Sequence, residues 1–333
     1  MNSRQRYQGV LDGTAVDFLP RIPILMQYAA EHIGSNYAHF AGDARVLVES
    51  NIRCATDFGF DQLSTISDPY RETQGFGGAI EYVPDGVPRC THPLAEHKHL
   101  SRLQTPDPAK STRMLDRVNA VRAYQQQCGD EYSIMGWIEG PAAEAATLRG
   151  TAQFLMDTVK DRSFLEDLMD LCLQVGIDFA QAQVRAGADT IGIGDAIASQ
   201  VSPRTYERLI LPREKKLVQA IKKMPATVRL HICGDITHLL PGIADLDIDI
   251  IDVDHMVDLP TVRKHVGDRV TISGNIDPVA GVHAGTPQSI RETIARSYAQ
   301  VGNPYMVNAG CEIPSGTPPE NLRALCEPLA YQG

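Results

Sequence analysis

At 333 residues, 43% hydrophobic and 22% charged, the chain has the composition of an ordinary globular protein, and its length suits either two domains or one barrel. Its 31 Lys and Arg against 41 Asp and Glu give a net charge of -10, without the positive footprint that nucleic acid or an anionic membrane surface requires. No apolar run reaches the ~18 residues of a bilayer span, MNSRQRYQGVLDG has no apolar signal-peptide core, and the 7 scattered cysteines suit reduced thiols. A cytoplasmic enzyme or binding protein is expected.

Apolar, β-branched segments predict a first strand at 21–27 (RIPILMQ) and a second at 61–68 (DQLSTISD). Residues 70–107, rich in Gly, Pro and His, are too long for a simple connection and too polar for core. They predict an insertion after the second strand, a hairpin lid over the open end of the fold. A helix follows at 114–127, with apolar residues three and four apart, then a strand at 132–140 (YSIMGWIEG). The pattern repeats as a helix over 162–187, a strand at 188–195 (ADTIGIGD), and a helix over 202–223 opened by Ser202 and Pro203. Strands are predicted at 227–235 (TVRLHICGD), 247–254 (DIDIIDVD) and 269–277 (RVTISGNID). A helix over 286–302, a last strand at 304–311 and a helix over 317–330 complete the chain. The strands are apolar on both faces, as buried parallel strands are. Strands alternating with helices in this number predict one domain, a single (β/α)8 TIM barrel with N-terminal decoration. The alternative, an open doubly wound sheet, is disfavoured because no G-x-G-x-x-G follows the first strand.

In such barrels the catalytic groups sit at the C-terminal strand ends. Those ends carry Gln27, Asp68, Glu139, Asp195, His231, Cys233, Asp235, Asp252, Asp254, Asn275, Asp277, Cys311 and Glu312. Polar residues also end strands as turn formers and caps, a reading that suits Asp235, Asp277 and Glu312 equally well. His231-Ile232-Cys233 is more telling, because residues two apart in a strand share a face. Closure of the barrel can bring Cys311 across to them. One imidazole and two thiolates with an open fourth position is the arrangement of a catalytic zinc, whereas structural sites fill all four corners. The bland alternative makes Cys233 a small buried hydrophobe and His231 a hydrogen-bonded core residue. Cys54, Cys90, Cys128, Cys172 and Cys326 read as structural, and His92, His97 and His99 as a solvated trio rather than a second metal site.

The segments PILMQYAAEHIGSNY, STISDPY, GPAAEAATLRG, HICGD, SGNIDP and NAGCEIPSGTPPENL together resemble the uroporphyrinogen decarboxylase superfamily. Within it, they resemble the zinc-dependent methyltransferase branch that works with corrinoid proteins. The resemblance runs through most of the chain and implies a single (β/α)8 barrel with His231, Cys233 and Cys311 as zinc ligands. It also implies a corrinoid (cobalamin) cofactor carried by a partner protein, since no corrinoid-binding domain is visible. Asp68 matches the aspartate with which decarboxylases hold pyrrole NH groups. The arginine-bearing stretch that receives porphyrin carboxylates in decarboxylases is replaced by Gln27-Tyr28-Ala29-Ala30-Glu31-His32, without arginine. The expected function is therefore methyl transfer between a corrinoid protein and a small methylated substrate or thiol. A decarboxylase-like lyase and a non-catalytic binding protein are the alternatives. One neutral His and two thiolates cancel a divalent charge, which favours a thiol acceptor. Asp68, Glu139, Asp195 and Asn275 are the expected substrate-facing catalytic residues, with Tyr70 and Trp137 shaping an apolar wall. Asp252, Asp254 or Glu312 is expected to supply a labile fourth ligand, and Asp235 to hydrogen-bond His231.

Overall fold

The structure, a computed structural model, describes residues 1–332. Its strands are β1 (Gln62–Ser64), β2 (Ile80–Val83), β3 (Gly86–Cys90), β4 (Ser133–Glu139), β5 (Thr190–Gly194), β6 (Thr227–Ile232), β7 (Ile250–Val253), β8 (Thr271–Ser273) and β9 (Tyr305–Met306). Apart from the antiparallel β2–β3 hairpin, they form one parallel sheet in the order β1, β4, β5, β6, β7, β8, β9. Every residue of β4 and β5 is buried, which explains their apolar reading on both faces.

The first predicted strand is the one that departs from expectation. Residues 20–24 close the ring without forming a regular ladder. The Asp61 amide donates to the Arg21 carbonyl at 2.7 Å on one side. On the other, Ile22 donates to Val307 at 2.9 Å and Val307 to Pro20 at 2.8 Å. Pro20 and Pro23 have no amide hydrogen, so the segment can offer only part of a strand's bonds. Gln27, expected at its end, instead opens a short helix, Gln27–His32. The architecture is a (β/α)8 barrel whose first stave is stapled at its edges.

Helices surround the ring where the 3.6-residue periodicity placed them. Thr112–Cys128 and Arg162–Ala186 pack against each other and against β4. Arg162–Ala186 stops at Gly187, whose φ of 119° suits only glycine. The helix expected over 202–223 is interrupted by a wide π turn, Tyr206–Ile210, just before Pro212. The missing amide and the ring of that proline cannot fit a regular α turn. Below the ring, the N-terminal helix Ser3–Leu11 plugs the barrel, with Tyr7 and Val10 packed on Ile22, Ile250 and Met306. Its Arg6 joins Asp17 to buried Asp61. Within 70–107, the hairpin β2–β3 lies against the helix Tyr37–Gly42, and the Tyr82 ring stacks 5.6 Å from the Arg113 guanidinium. Among the described residues, no helix is long and apolar enough to cross a membrane.

Candidate metal centre

Along β6 the apolar residues Val228, Leu230 and Ile232 alternate with Arg229 and His231, and the alternation carries on to Cys233. Ile232 is buried in the main apolar core, while His231 and Cys233 both line the cavity at the C-terminal end of the barrel. Cys311 reaches them from beyond β9. The glycine before it is required, since a Cβ on Gly310 would stand 2.5 Å from the His255 amide nitrogen. The His231 Nε2 lies 2.9 Å from Cys233 Sγ and 3.9 Å from Cys311 Sγ, and the two sulfurs are 3.8 Å apart. A tetrahedral zinc with ~2.3 Å bonds to sulfur and ~2.0 Å to nitrogen sets its donors roughly 3.6–3.8 Å apart. The sulfur–sulfur separation matches, and a small shift of the His231 ring away from Cys233 and toward Cys311 would bring the long and the short nitrogen–sulfur separations toward it. Among the described residues this is the one group of three such donors close enough to share an ion, so His92, His97 and His99 do not form a second.

The electrostatics make the same demand. Hydrogen bonding from Cys233, joined by His231, pulls the Cys311 thiol down to about 4 against the opposing effect of burial. The neighbouring Cys311 and burial push Cys233 far up. Burial disfavours an imidazolium, yet Asp252 and Cys311 outweigh it and raise His231 to about 10. Two sulfurs this close cannot both be anionic in a buried site without a cation between them. The residues present therefore fit a zinc ion.

Behind the His231 ring stands Asp252, whose Oδ2 lies 3.3 Å from Nδ1, within ion-pair reach but short of a formed hydrogen bond. Arg229 grips that carboxylate at 2.6 Å and Asn308 donates to it at 2.9 Å. Such a carboxylate holds the proton on Nδ1 and leaves the Nε2 lone pair for a metal. The expectation that Asp235 does this is corrected: Asp235 is exposed and accepts the Thr237 amide at 2.9 Å in a turn. The register that pairs His231 with Asp252 across β6 and β7 is what the sequence did not reveal.

The three donors open into a cavity of about 160 Å³ walled by Ile24, Met26, Ile66, Pro69, Trp137, Gly194 and Ala196, with Asp68, Glu139 and Glu312 at its edge. Arg113 clasps Asp68 through both guanidinium nitrogens at 2.6 Å, which overcomes burial and holds that carboxyl far below its usual range. Arg71 meets Glu139 at 2.6 Å and donates to the Asp68 carbonyl. Trp137 Nε1 donates to Glu139 at 3.1 Å. Burial, with Glu72 adding to it, still raises Glu139 to about 8 despite Arg71. Burial raises Glu312 to about 7, and its Oε1 accepts the Gln27 amide at 3.1 Å. Of the three expected fourth ligands only Glu312 lines the cavity. Asp252 is held by Arg229, while Asp254 accepts the Gly234 and Met256 amides at 2.9 and 3.1 Å.

Two expected substrate-facing residues lie elsewhere. Asp195 is fully buried on the far side of the sheet, where it accepts the Ala143 amide at 2.7 Å at the start of the helix Pro141–Arg149. It is in phase with Ile191 and Ile193, whereas Gly194 faces the cavity. Asn275 donates to the carbonyls of Asp254 and Val257 at 3.1 and 2.7 Å and so ties two loops together. Trp137 lines the cavity and Tyr70 does not. Arg71 and Arg113, which determine the charge of the wall, were not among the expected site residues. Arg113 sits on a helix and Arg71 in the insertion, and no spacing rule links them to a strand end.

Residues 2–330 match the uroporphyrinogen decarboxylase (URO-D) family profile. A methylcobamide:CoM methyltransferase from Methanosarcina acetivorans is 34% identical over 334 residues, covering 97% of this chain and 96% of that one. A uroporphyrinogen decarboxylase from Microcystis aeruginosa is 26% identical over 330 residues, 93% of each chain. Among solved structures, a methyltransferase from Methanosarcina mazei superimposes with a TM-score of 0.89 at 22% identity, over 98% of this chain and 97% of that one. This likeness concerns the fold.

Proposed function

The chain belongs to the uroporphyrinogen decarboxylase family, and we propose that within it this protein moves a methyl group between a corrinoid carried on a partner protein and a small thiol, with zinc held by His231, Cys233 and Cys311. The observation that carries the proposal is the convergence of one imidazole and two sulfurs, from the end of β6 and the loop after β9, on a cavity with a free side. Bound there, zinc would lower the pKa of a substrate thiol so that it is present as a thiolate at neutral pH. The protein's own contribution is charge balance. A neutral imidazole and two thiolates together cancel a divalent cation, so no excess positive charge blunts the nucleophile. Asp252 fixes the imidazole for this, and the apolar walls keep water from competing.

The size of the cavity favours a small substrate, with the corrinoid outside it. At about 160 Å³ it accepts a small molecule but not a tetrapyrrole macrocycle, so a corrinoid meets it from the rim on a separate protein. The same limit argues against porphyrin decarboxylation, as does the stretch from Gln27 to His32, which carries no arginine for porphyrin carboxylates. The test is methyl transfer from methylcobalamin to a thiol by zinc-loaded protein, followed by the absorbance of the corrinoid and by mass of the thioether. Transfer that needs zinc and disappears in His231→Ala is expected. Undiminished transfer by metal-free His231→Ala would refute the proposal.

A further inference from the structure

Resting on the zinc reading of the site, we infer that Asn275 is a positioning residue for the metal centre: its side-chain amide braces the loop 254–257, and that loop sets where the two sulfurs stand. Cys233 and Cys311 are 78 residues apart in sequence, yet the loop touches the immediate neighbour of each. The turn after Cys233 is held by Asp254, whose Oδ2 accepts the Gly234 amide at 2.9 Å. The segment carrying Cys311 packs on the same loop, backbone against backbone. A Cβ on Gly310 would lie 2.5 Å from the His255 amide nitrogen and 3.1 Å from the Asp254 carbonyl carbon. Any movement of 254–257 therefore moves both sulfur-bearing segments.

The loop does not hold that place by its own bonds. The Val257 amide donates to the Asp254 carbonyl and the Met256 amide to Asp254 Oδ1, each at 3.1 Å, which closes a turn without tying it to β8. Its outer side is bare, with Met256 59% exposed. His255 faces Asp277 at 3.5 Å, but both side chains are partly exposed, and an ion pair in that setting is too weak to fix a loop. Asn275, two residues past β8, supplies the tie. Its Nδ2 donates to the Asp254 carbonyl at 3.1 Å and to the Val257 carbonyl at 2.7 Å, the two ends of the loop. A primary amide suits this task because it carries two N–H donors on one atom. The next residue, Ile276, accepts the Gly310 amide at 2.8 Å, so the same stretch of chain also anchors the segment of Cys311. Without the brace the three donors remain, but the sulfurs are no longer held at one separation. The loss then falls on affinity for the metal, as it does when a group supporting a ligand is removed.

Competition with a chelator for zinc, together with hydrogen exchange of the metal-free protein, tests this in Asn275→Ala. Zinc affinity of the folded variant is expected to fall about 10–100-fold. In the metal-free variant the amides of 232–236 and 308–312 are expected to exchange faster than in the parent. A role confined to stability would lower the urea midpoint and leave the zinc affinity of the folded protein where it was. Affinity within about twofold of the parent therefore overturns the inference. So does faster exchange confined to 254–257, since the loop would then move without the sulfur-bearing segments. Asn275→Asp, which turns an acceptor oxygen toward both carbonyls, is expected to lose at least as much affinity as alanine, and a smaller loss there contradicts the brace. Should alanine prevent folding, Asn275→Ser, which keeps one donor, is read by the same limits. A parent that takes up no zinc overturns the zinc proposal and this inference together. Unchanged affinity in the variants overturns this inference alone.

Discussion

Asp68 and Asp195 are both buried aspartates just beyond the end of a barrel strand, and the fold treats them in opposite ways. Asp68 continues the inward phase of β1, reaches the cavity and is held ionised by Arg113. Asp195 continues the outward phase of β5 with Ile191 and Ile193. Burial first, and then the nearby Glu214, push its carboxyl well above the usual range, with no cation to oppose them. Glu214 is itself raised by burial to about 7, and the Tyr206 hydroxyl donates to it at 2.5 Å. One side of the sheet thus keeps paired charge at a cavity, and the other keeps uncharged acids between sheet and helices. The contrast shows that a polar strand end becomes part of a site through its phase and its counter-ion, not through its residue type.

Substitutions at the inward positions should break this contrast most severely. His231→Ala and Cys311→Ser are each expected to lose bound zinc and methyl transfer together while the circular dichroism spectrum of the barrel persists. A full zinc complement in either, by elemental analysis, would place the metal elsewhere. Next in size, Asp68→Asn leaves the Arg113 guanidinium buried without its anionic partner, at a cost of about 3–5 kcal/mol. Urea unfolding at pH 7 measures it, and a midpoint unchanged from the parent would mean that the ion pair has no structural weight. Because the Asp68 carboxyl is depressed when folded, its contribution is complete above the ordinary carboxylate range and is lost only in strong acid.

Asp252→Asn sharpens the account of the imidazole. It should weaken zinc binding about 10–100-fold against a competing chelator without removing a ligand. A change of less than about twofold would show that the ring needs no fixing from behind. The smallest effect belongs to the outer acids. Since Glu214 is raised to about 7, the folded state holds a proton that the unfolded chain releases above its ordinary value of about 4.3. Stability from this group is therefore present at pH 4 and declines up to pH 7. Glu214→Gln should remove that decline, gaining on the order of 1 kcal/mol over the parent between pH 5 and pH 8. An advantage that shrinks with rising pH would contradict the sign.

Much of the fold was legible because buried parallel strands and amphipathic helices leave clear periodicities. The exception, 20–24, reads as a strand by its apolar residues, but its prolines deny it a strand's hydrogen bonds. Two of the three candidate metal donors were legible from spacing, since His231 and Cys233 must share a face. The third depended on ring closure bringing the end of the chain beside β6. The misplacement of Asp195 was avoidable: in Gly192-Ile193-Gly194-Asp195, the bulky isoleucine marks the helix side and the aspartate shares its phase. The role of Asp252 was not, because it depends on the register of two strands whose sequences do not report it. Nor were Arg71 and Arg113 legible, since ion pairs 68 and 45 residues apart in sequence follow from the tertiary fold alone.

X-ray absorption at the zinc edge, on protein purified without chelator or metal-binding tag, tests the central claim most directly. One zinc per chain is expected, with two sulfurs at ~2.3 Å and an imidazole nitrogen at ~2.0 Å in its first shell, and none in Cys311→Ser. A chain that takes up no zinc, or zinc surrounded only by nitrogen and oxygen, would contradict it.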